Sequence, residues 1–204
     1  MQKCIFSIMV SVLLFLLLAA PSGLYASWGV RASQGQTIVV NSLADSGAGT
    51  LRQALLDAQA EDQITFDPMV FPPTSPLTTS FQSGLPAITE DGLTVDGSQA
   101  GVILHGRQRN PSNGLTIRDA TGVTIQGLQI VNFMVGIELR QGAQNVLIGG
   151  DREEGTGPLG QGNLISGNFA AGIKLRDAET SGNQIQGNYI GTDLSGNVRQ
   201  GIQT

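Results

Sequence analysis

Short segments in which apolar and polar residues alternate return at regular intervals along the second half of the chain. The segment at 92–95 (GLTV) recurs 22 residues later at 114–117 (GLTI), and after another 22 residues at 136–139 (GIEL). It returns at wider intervals at 172–175 (GIKL) and at 201–202 (GI). Such alternation predicts short β-strands with one buried face, and the fixed interval predicts a repeated structural unit.

Two further sets of alternating segments follow the first set within each unit. Residues rich in Gly, Asn and Asp separate the sets, as expected of bends between strands. Each unit is therefore predicted to contain three short strands. The second set comprises 102–104, 123–125, 146–148 and 183–185, and the third contains Ile130, Ile165 and Ile190.

A single unit of this kind cannot bury its own aliphatic face. Stacking equivalent strands about 4.8 Å apart would turn each set into a parallel sheet and align Leu, Ile and Val residues inside. The alternative, a sandwich of antiparallel hairpins, predicts two-residue turns and no fixed return. The pattern therefore predicts an all-β fold, a right-handed parallel β-helix, over residues 92–204.

Residues 27–91 do not repeat, and we interpret them as an N-terminal cap followed by irregular first coils. Thr50 and Gln53 have the spacing of a capping box, and apolar residues of 51–58 fall on one helical face. This short helix is predicted to cover the open end of the stack. The stretch 67–86 is predicted to be an irregular loop.

The first 26 residues have the pattern of a secretory signal peptide. Lys3 precedes an apolar run at 5–20, and Pro21 and Gly23 follow it. An uncleaved membrane anchor is the alternative, although the run is shorter than the roughly 20 residues that a span requires. We therefore expect a secreted or cell-surface protein with no membrane span after cleavage.

The chain ends at 201–204, where a new first-set strand begins. We expect the sequence to be part of a longer protein that is truncated at its C-terminus. An uncapped strand edge would also allow self-association.

Composition excludes several classes of partner and cofactor. The formal charge is −5, and Lys174 is the only lysine after the predicted leader, which argues against nucleic acid as a partner. The only cysteine, Cys4, lies in the leader, so disulfides and cysteine metal sites are not expected. No cofactor is predicted. The 28 glycines, well above the usual ~7%, indicate many turns.

Three aspartates are the candidate catalytic residues. Asp119 and Asp177 follow first-set strands about two coils apart, and Asp193 lies in a Thr-Asp pair. Glycoside hydrolysis needs two carboxylates roughly 5–9.5 Å apart, which this spacing approaches. Aspartate is also common after strands because it suits turns. A carbohydrate-active lyase or hydrolase therefore remains an alternative to a non-catalytic protein.

The segment at 105–113 (HGRQRNPSN) is the candidate binding segment. His105, Arg107 and Arg109 concentrate positive charge in an acidic protein, and guanidinium groups bind carboxylates and sulfates of acidic polysaccharides. A solvated loop is the alternative interpretation. The Gly-Asn pairs, by contrast, are predicted to form stacked bends rather than a ligand site.

The segment at 41–66 resembles the N-terminal signature of secreted bacterial β-helix proteins, namely those with a Cys-Ser-Leu-Arg-Glu-Ala domain and polymorphic outer-membrane-type proteins. In these proteins a Gly-Ser/Thr-Leu-Arg-x-Ala helix precedes an Ile-Thr-Phe strand. Here Gln53 replaces the commoner glutamate, and the family cysteine is absent. The stretch at 162–193 is similar to their Gly-Asn-rich coils. The matching signature residues are Gly49, Thr50, Leu51, Arg52 and Ala54.

The resemblance implies a β-helix of the bacterial surface and leaves the activity open. Together with the leader and the repeats, it leads us to expect an adhesin-like structural or glycan-binding module. The expected partner is a polysaccharide or the surface of a host or neighbouring cell. Catalysis in the lateral groove of the stack is the competing expectation.

Overall fold

The computed structural model describes residues 35–106 and 112–197. Within these residues the fold is all-β with parallel sheets and a single short helix. In chain order the elements are β1 (Thr37–Val40), α1 (Leu51–Asp57), β2 (Gln63–Phe66), β3 (Leu77–Phe81), β4 (Thr94–Asp96), β5 (Val102–Gly106), β6 (Leu115–Arg118), β7 (Thr124–Gln126), β8 (Leu128–Val131), β9 (Val135–Arg140), β10 (Leu147–Gly149), β11 (Leu164–Ser166), β12 (Ala171–Leu175), β13 (Gln184–Gln186) and β14 (Tyr189–Ile190).

The strands form three sheets, and every described strand pairing is parallel. Sheet A has the order β1-β2-β4-β7-β10-β13, sheet B the order β14-β11-β8-β5-β3, and sheet C the order β12-β9-β6. From β4 onward the chain visits sheets A, B and C in a fixed sequence. We call one visit to sheets A, B and C in turn a pass. Each pass adds one strand to each sheet, and this explains why the hydrophobic pattern recurs.

The pairing registers align the inward side chains of successive passes. In sheet A, Val95 pairs with Ile125, and Ile125 pairs with Ile148. In sheet B, Leu104 pairs with Ile130. All five side chains are fully buried. Burial of each such side chain contributes about 1.5–3 kcal/mol, so the aligned aliphatic residues are the main source of stability.

The predicted grouping of the segments is wrong in two places. The segment at 92–95 belongs to sheet A rather than to the sheet formed by 114–117 and 136–139. The segment at 102–104 belongs to sheet B rather than to sheet A. The other members of the three sets that lie in the described residues stack as predicted, and the segment at 201–202 lies outside them.

The first error arises because one tetrapeptide pattern occurs in two backbone conformations. Gly92 has a φ of +67° and forms a left-handed bend before Leu93. Gly114 is instead packed against the neighbouring pass, where a Cβ atom would lie 2.4 Å from the carbonyl oxygen of Gly136. Glycine permits both situations, and the sequence letters do not distinguish them.

The prediction of an irregular loop at 67–86 is also wrong, because strand β3 lies within it. β3 pairs with β5 over five residues and extends sheet B, while β1 and β2 extend sheet A. The sheets therefore include strands that precede residue 92. Prolines at 72, 73 and 76, directly before β3, obscured the strand in the sequence, although proline is tolerated at strand boundaries.

Helix α1 begins as predicted. Thr50 is its N-cap, and its side-chain oxygen accepts a hydrogen bond of 3.2 Å from the backbone N–H of Gln53. The buried face consists of Leu51, Ala54 and Leu55. The helix packs on β1, the terminal strand of sheet A. No helix in the described part of the chain is long and apolar enough to span a membrane. The predicted leader at 1–26 lies outside the described residues.

Arg52 connects α1 to the segment after β3. Its guanidinium group lies 2.6 Å from the carboxylate of Asp45 and donates to the carbonyl oxygen of Gly84 at 2.7 Å. The guanidinium carbon also lies 5.9 Å from the centre of the Phe81 ring. The arginine of the signature segment therefore has a structural role here, because it fixes the helix against sheet B.

Asparagine side chains join successive passes at the bends. Asn163 Oδ1 accepts the backbone N–H of Leu128 at 3.0 Å, and Nδ2 donates to the carbonyl oxygen of Ile125 at 2.9 Å. One side chain thus satisfies two backbone groups at a bend of the neighbouring pass. Three more asparagines repeat this pair of bonds: Asn168, Asn183 and Asn188. The Gly-Asn pairs that contain these residues form bends.

We expect Asn163→Ala to destabilise the fold strongly. The change leaves the N–H of Leu128 buried and unpaired and removes the amide bond to the carbonyl of Ile125, which costs about 1–3 kcal/mol in unfolding free energy. Urea denaturation followed by circular dichroism measures the loss. The matched control is Asn197→Ala, which alters an exposed member of the same Gly-Asn series. Equal denaturation midpoints for the two variants would contradict this role of the bends.

Candidate functional site

A column of left-handed residues follows the strands of sheet C. Asp119, Gln141 and Asp177 have φ angles of 52°, 48° and 75° and occupy equivalent bends in three successive passes. The N–H of Asp119 donates to the carbonyl oxygen of Gln141 at 2.9 Å, and the N–H of Gln141 donates to Asp177 Oδ2 at 3.0 Å. Aspartate tolerates this conformation better than most other non-glycine residues.

The column lines an open depression of about 580 Å³, which we call the sheet C groove. Its lining is strongly polar and combines carboxylate, amide and guanidinium groups. Such groups donate to and accept from hydroxyl groups, so the groove can bind a hydroxyl-rich ligand. The lining residues are Asp119, Gln141, Gly142, Arg176, Asp177 and Glu179.

The structure brings two of the three predicted catalytic aspartates into this groove. Asp119 and Asp177 are two passes apart, a separation of about 10 Å between their backbones for strands spaced as in ordinary sheets. This is close to the upper end of the carboxylate separation in inverting glycosidases. The Asp119 carboxylate also contacts Arg118 at 2.9 Å. Asp177 stabilises the equivalent bend of the preceding pass, because its Oδ2 accepts the N–H of Gln141.

A buried carboxylate lies beside the groove on the outward face of sheet C. The side chain of Glu138 is only 7% exposed and contacts Arg176 Nε at 2.9 Å and Arg140 Nε at 3.7 Å. It also accepts a hydrogen bond of 2.9 Å from Asn113 Nδ2. We refer to Asn113, Glu138, Arg140 and Arg176 as the Glu138 cluster. The cluster fixes the Arg176 side chain at the edge of the groove.

The charged outward positions of equivalent strands indicate this cluster in the sequence. The outward positions of β6, β9 and β12 pair across sheet C, so Glu138 lies in register with Thr116 and Lys174. Arg118 and Arg140 are likewise in register. A recurring outward charge at one strand position is visible in the repeat alignment, whereas the burial of Glu138 is not.

The third predicted catalytic residue, Asp193, lies elsewhere. It borders a second depression, on the outward face of sheet B, and accepts hydrogen bonds from the N–H and hydroxyl of Ser195 at 3.0 and 2.7 Å. The groove and this second depression share no lining residue. Asp193 is therefore not part of one catalytic set with Asp119 and Asp177.

His105 lies on β5, where the predicted binding segment begins. The amide nitrogen of Asn132 lies 2.8 Å from Nε2. Nδ1 is buried and has no hydrogen-bond partner among the described residues. Arg107 and Arg109, the other predicted binding residues, lie outside the described residues.

Within the described ranges, no group of three or more His, Cys, Asp and Glu side chains could hold a metal ion. The glycines at 155, 157 and 160 have the spacing of a dinucleotide motif but open no helix. They let the segment at 151–161, which separates β10 from β11, pack closely against an earlier bend, where the N–H of Gly157 donates to the carbonyl oxygen of Ser98 at 2.7 Å.

Comparison with known proteins gives no relative for this chain: no family model matches it, and no curated protein is significantly similar to it.

We expect Glu138→Gln to destabilise the fold. The change removes the charge that pairs with Arg140 and Arg176, and we expect a loss of about 1–2 kcal/mol because the arginine side chains are partly screened by solvent. The control is Glu179→Gln, which removes an exposed carboxylate that lines the adjacent sheet C groove. Thermal denaturation measures both. If the two variants melt alike, the Glu138 cluster does not support sheet C.

Proposed function

We propose that the protein is an exported right-handed parallel β-helix that binds hydroxyl-rich polysaccharide through the sheet C groove. The observation that carries the proposal is the stacked column of Asp119, Gln141 and Asp177 along three passes. Export and the surface location rest on the predicted leader, and they agree with the resemblance to secreted bacterial β-helix proteins.

The β-helix is the architecture that the strand pairings support best. The fixed order of visits to three parallel sheets is what a chain winding around one axis produces, and parallel crossover connections are nearly always right-handed. α1 packs on the terminal strand of sheet A, which is the position of an end cap. A cap there would keep other chains from pairing with the exposed edge of β1.

Glycan binding agrees with the chemistry and the repetition of the groove. Polar groups recur at each pass, so they are spaced along a line rather than gathered around one point. A linear array of this kind suits a polymer with repeated hydroxyl groups. The positive charge of Arg176 offsets only part of the acidic lining, which favours neutral over strongly anionic polysaccharides.

We also propose that the protein can self-associate. The inward-set side chains Leu175, Ile185 and Ile190 of β12, β13 and β14 are 44–46% exposed. A further strand layer, from this chain or from another copy, would bury them. A second contact, with acidic polysaccharides, stays a prediction. Its residues are His105, Arg107 and Arg109.

We expect the double variant Asp119→Asn/Asp177→Asn to bind polysaccharide about tenfold more weakly in a glycan array followed by calorimetry. Asparagine preserves the left-handed bends and can still accept the Gln141 N–H, but it forms weaker hydrogen bonds to hydroxyl groups. The matched control Asp57→Asn alters an exposed carboxylate on α1 and should bind normally. Unchanged binding by the double variant would exclude the groove.

The competing function is polysaccharide cleavage, favoured by the placement of two carboxylates in one groove. Incubation with pectin, alginate, glycosaminoglycans and neutral glucans, followed by a reducing-end assay, separates the two. For a binding module we expect no release of reducing ends. Turnover that disappears in Asp119→Asn or Asp177→Asn would make the protein an enzyme, with these two residues as its acid and base.

A further inference from the structure

The depression on the outward face of sheet B differs in character from the sheet C groove. It has a volume of about 380 Å³, within the range of small-molecule sites. Its walls are mainly aliphatic and come from β5, β8, β11 and the segment after β14. We call it the sheet B pocket. The aliphatic lining residues are Ile103, Val131, Leu164 and Leu194.

A single amide forms the polar part of its inner surface. Gln129 lies on β8 between inward-facing residues, so its side chain points outward into the pocket. The residue is only 7% exposed, and its Nε2 has no hydrogen-bond partner among the described residues. Leaving such a donor unsatisfied costs about 1–3 kcal/mol, which is a cost that a bound acceptor removes.

From this combination we propose that the sheet B pocket binds the N-acetyl group of an amino sugar. Rotation of the Gln129 carboxamide brings its buried Nε2 to the pocket, where it donates to the acetyl carbonyl oxygen, and the acetyl methyl group packs between the side chains of Val131 and Leu164. The sugar ring then extends toward Ser195 at the rim. The pocket volume accommodates one hexosamine unit.

Charge selects against the other ligands that could satisfy an amide donor. None of the described lining residues is basic, so carboxylate, sulfate and phosphate groups have no cationic partner in the pocket. A plain hexose offers hydroxyl oxygens to Gln129 but no methyl group to the aliphatic walls. An N-acetylated neutral sugar is therefore the chemical class that matches both the donor and the walls.

This inference concerns a different sheet face and does not depend on the groove. If the groove binds no polysaccharide, binding of an N-acetyl sugar to the sheet B pocket would persist. Conversely, the pocket could fail while the groove still binds a polymer. The two proposals are separated by their own variants, because the groove and the pocket have no residue in common.

The test is titration of the full chain with N-acetylglucosamine and with glucose, followed by NMR signals of glutamine side-chain amides. We expect N-acetylglucosamine to shift one such signal, absent in Gln129→Leu, and to bind at least about tenfold more tightly than glucose. Gln129→Leu should weaken N-acetylglucosamine binding by about tenfold or more without lowering the melting temperature, because it removes an unsatisfied group. Val131→Phe, which fills the pocket, should abolish binding with Gln129 intact.

The control is Asp119→Asn/Asp177→Asn, which should bind N-acetylglucosamine normally. Equal affinity for glucose and N-acetylglucosamine, or unchanged binding by Gln129→Leu, would overturn the proposal. Absence of any shift up to the solubility limit of the sugar would overturn it as well.

Discussion

The bond between an asparagine side chain and the backbone of the neighbouring pass is the interaction on which the bends of the later passes depend. Between strands the chain must turn, and the backbone groups at the turn lose their sheet partners. A carboxamide supplies one acceptor and one donor at the distance needed. Asn163 and Asn168 do this for the bends before Leu128 and Phe133, respectively. The bends then require neither water nor a long loop.

The same positions are apolar in the earlier passes and amidic in the later ones. Val123, Leu128 and Phe133 point inward at three bends of one pass, and in the next pass Asn163 and Asn168 replace the latter two. Apolar residues at these bends enlarge the core, whereas asparagines pair with the backbone beneath them. Because the inward residues and the bends stabilise the fold, most outward residues contribute little to its stability. Glu138 is one exception among the described residues, since it joins strands β9 and β12 through Arg176, and Asp177 is another, since its carboxylate accepts the N–H of Gln141.

The repeat could be predicted from the sequence, but the assignment of segments to sheets could be predicted only in part. The alternation of inward Ile, Leu and Val depends on local geometry, so β6, β9 and β12 were recognised correctly. The segment at 92–95 was placed in the wrong sheet because Gly92 and Gly114 share a sequence context and differ in φ. The stacking of Asp119 with Asp177 followed from the repeat. The depression around Gln129 is also lined by residues 193–195, which are distant in the sequence, and no local pattern reveals that these residues come together.

The two candidate sites differ in how they relate to the repeat, and this difference constrains what each can bind. The sheet C groove consists of equivalent positions, so each added pass would lengthen it by about 4.8 Å and add one more set of polar groups. Affinity for a polymer would grow with the number of passes, as it does for other multivalent contacts. The sheet B pocket depends on Leu194 and Ser195, which belong to one segment and recur in no other described pass. On the two proposals, such a pocket would recognise one chemical group at one place and select the sugar unit beside it, while the groove would set how strongly a long chain is held.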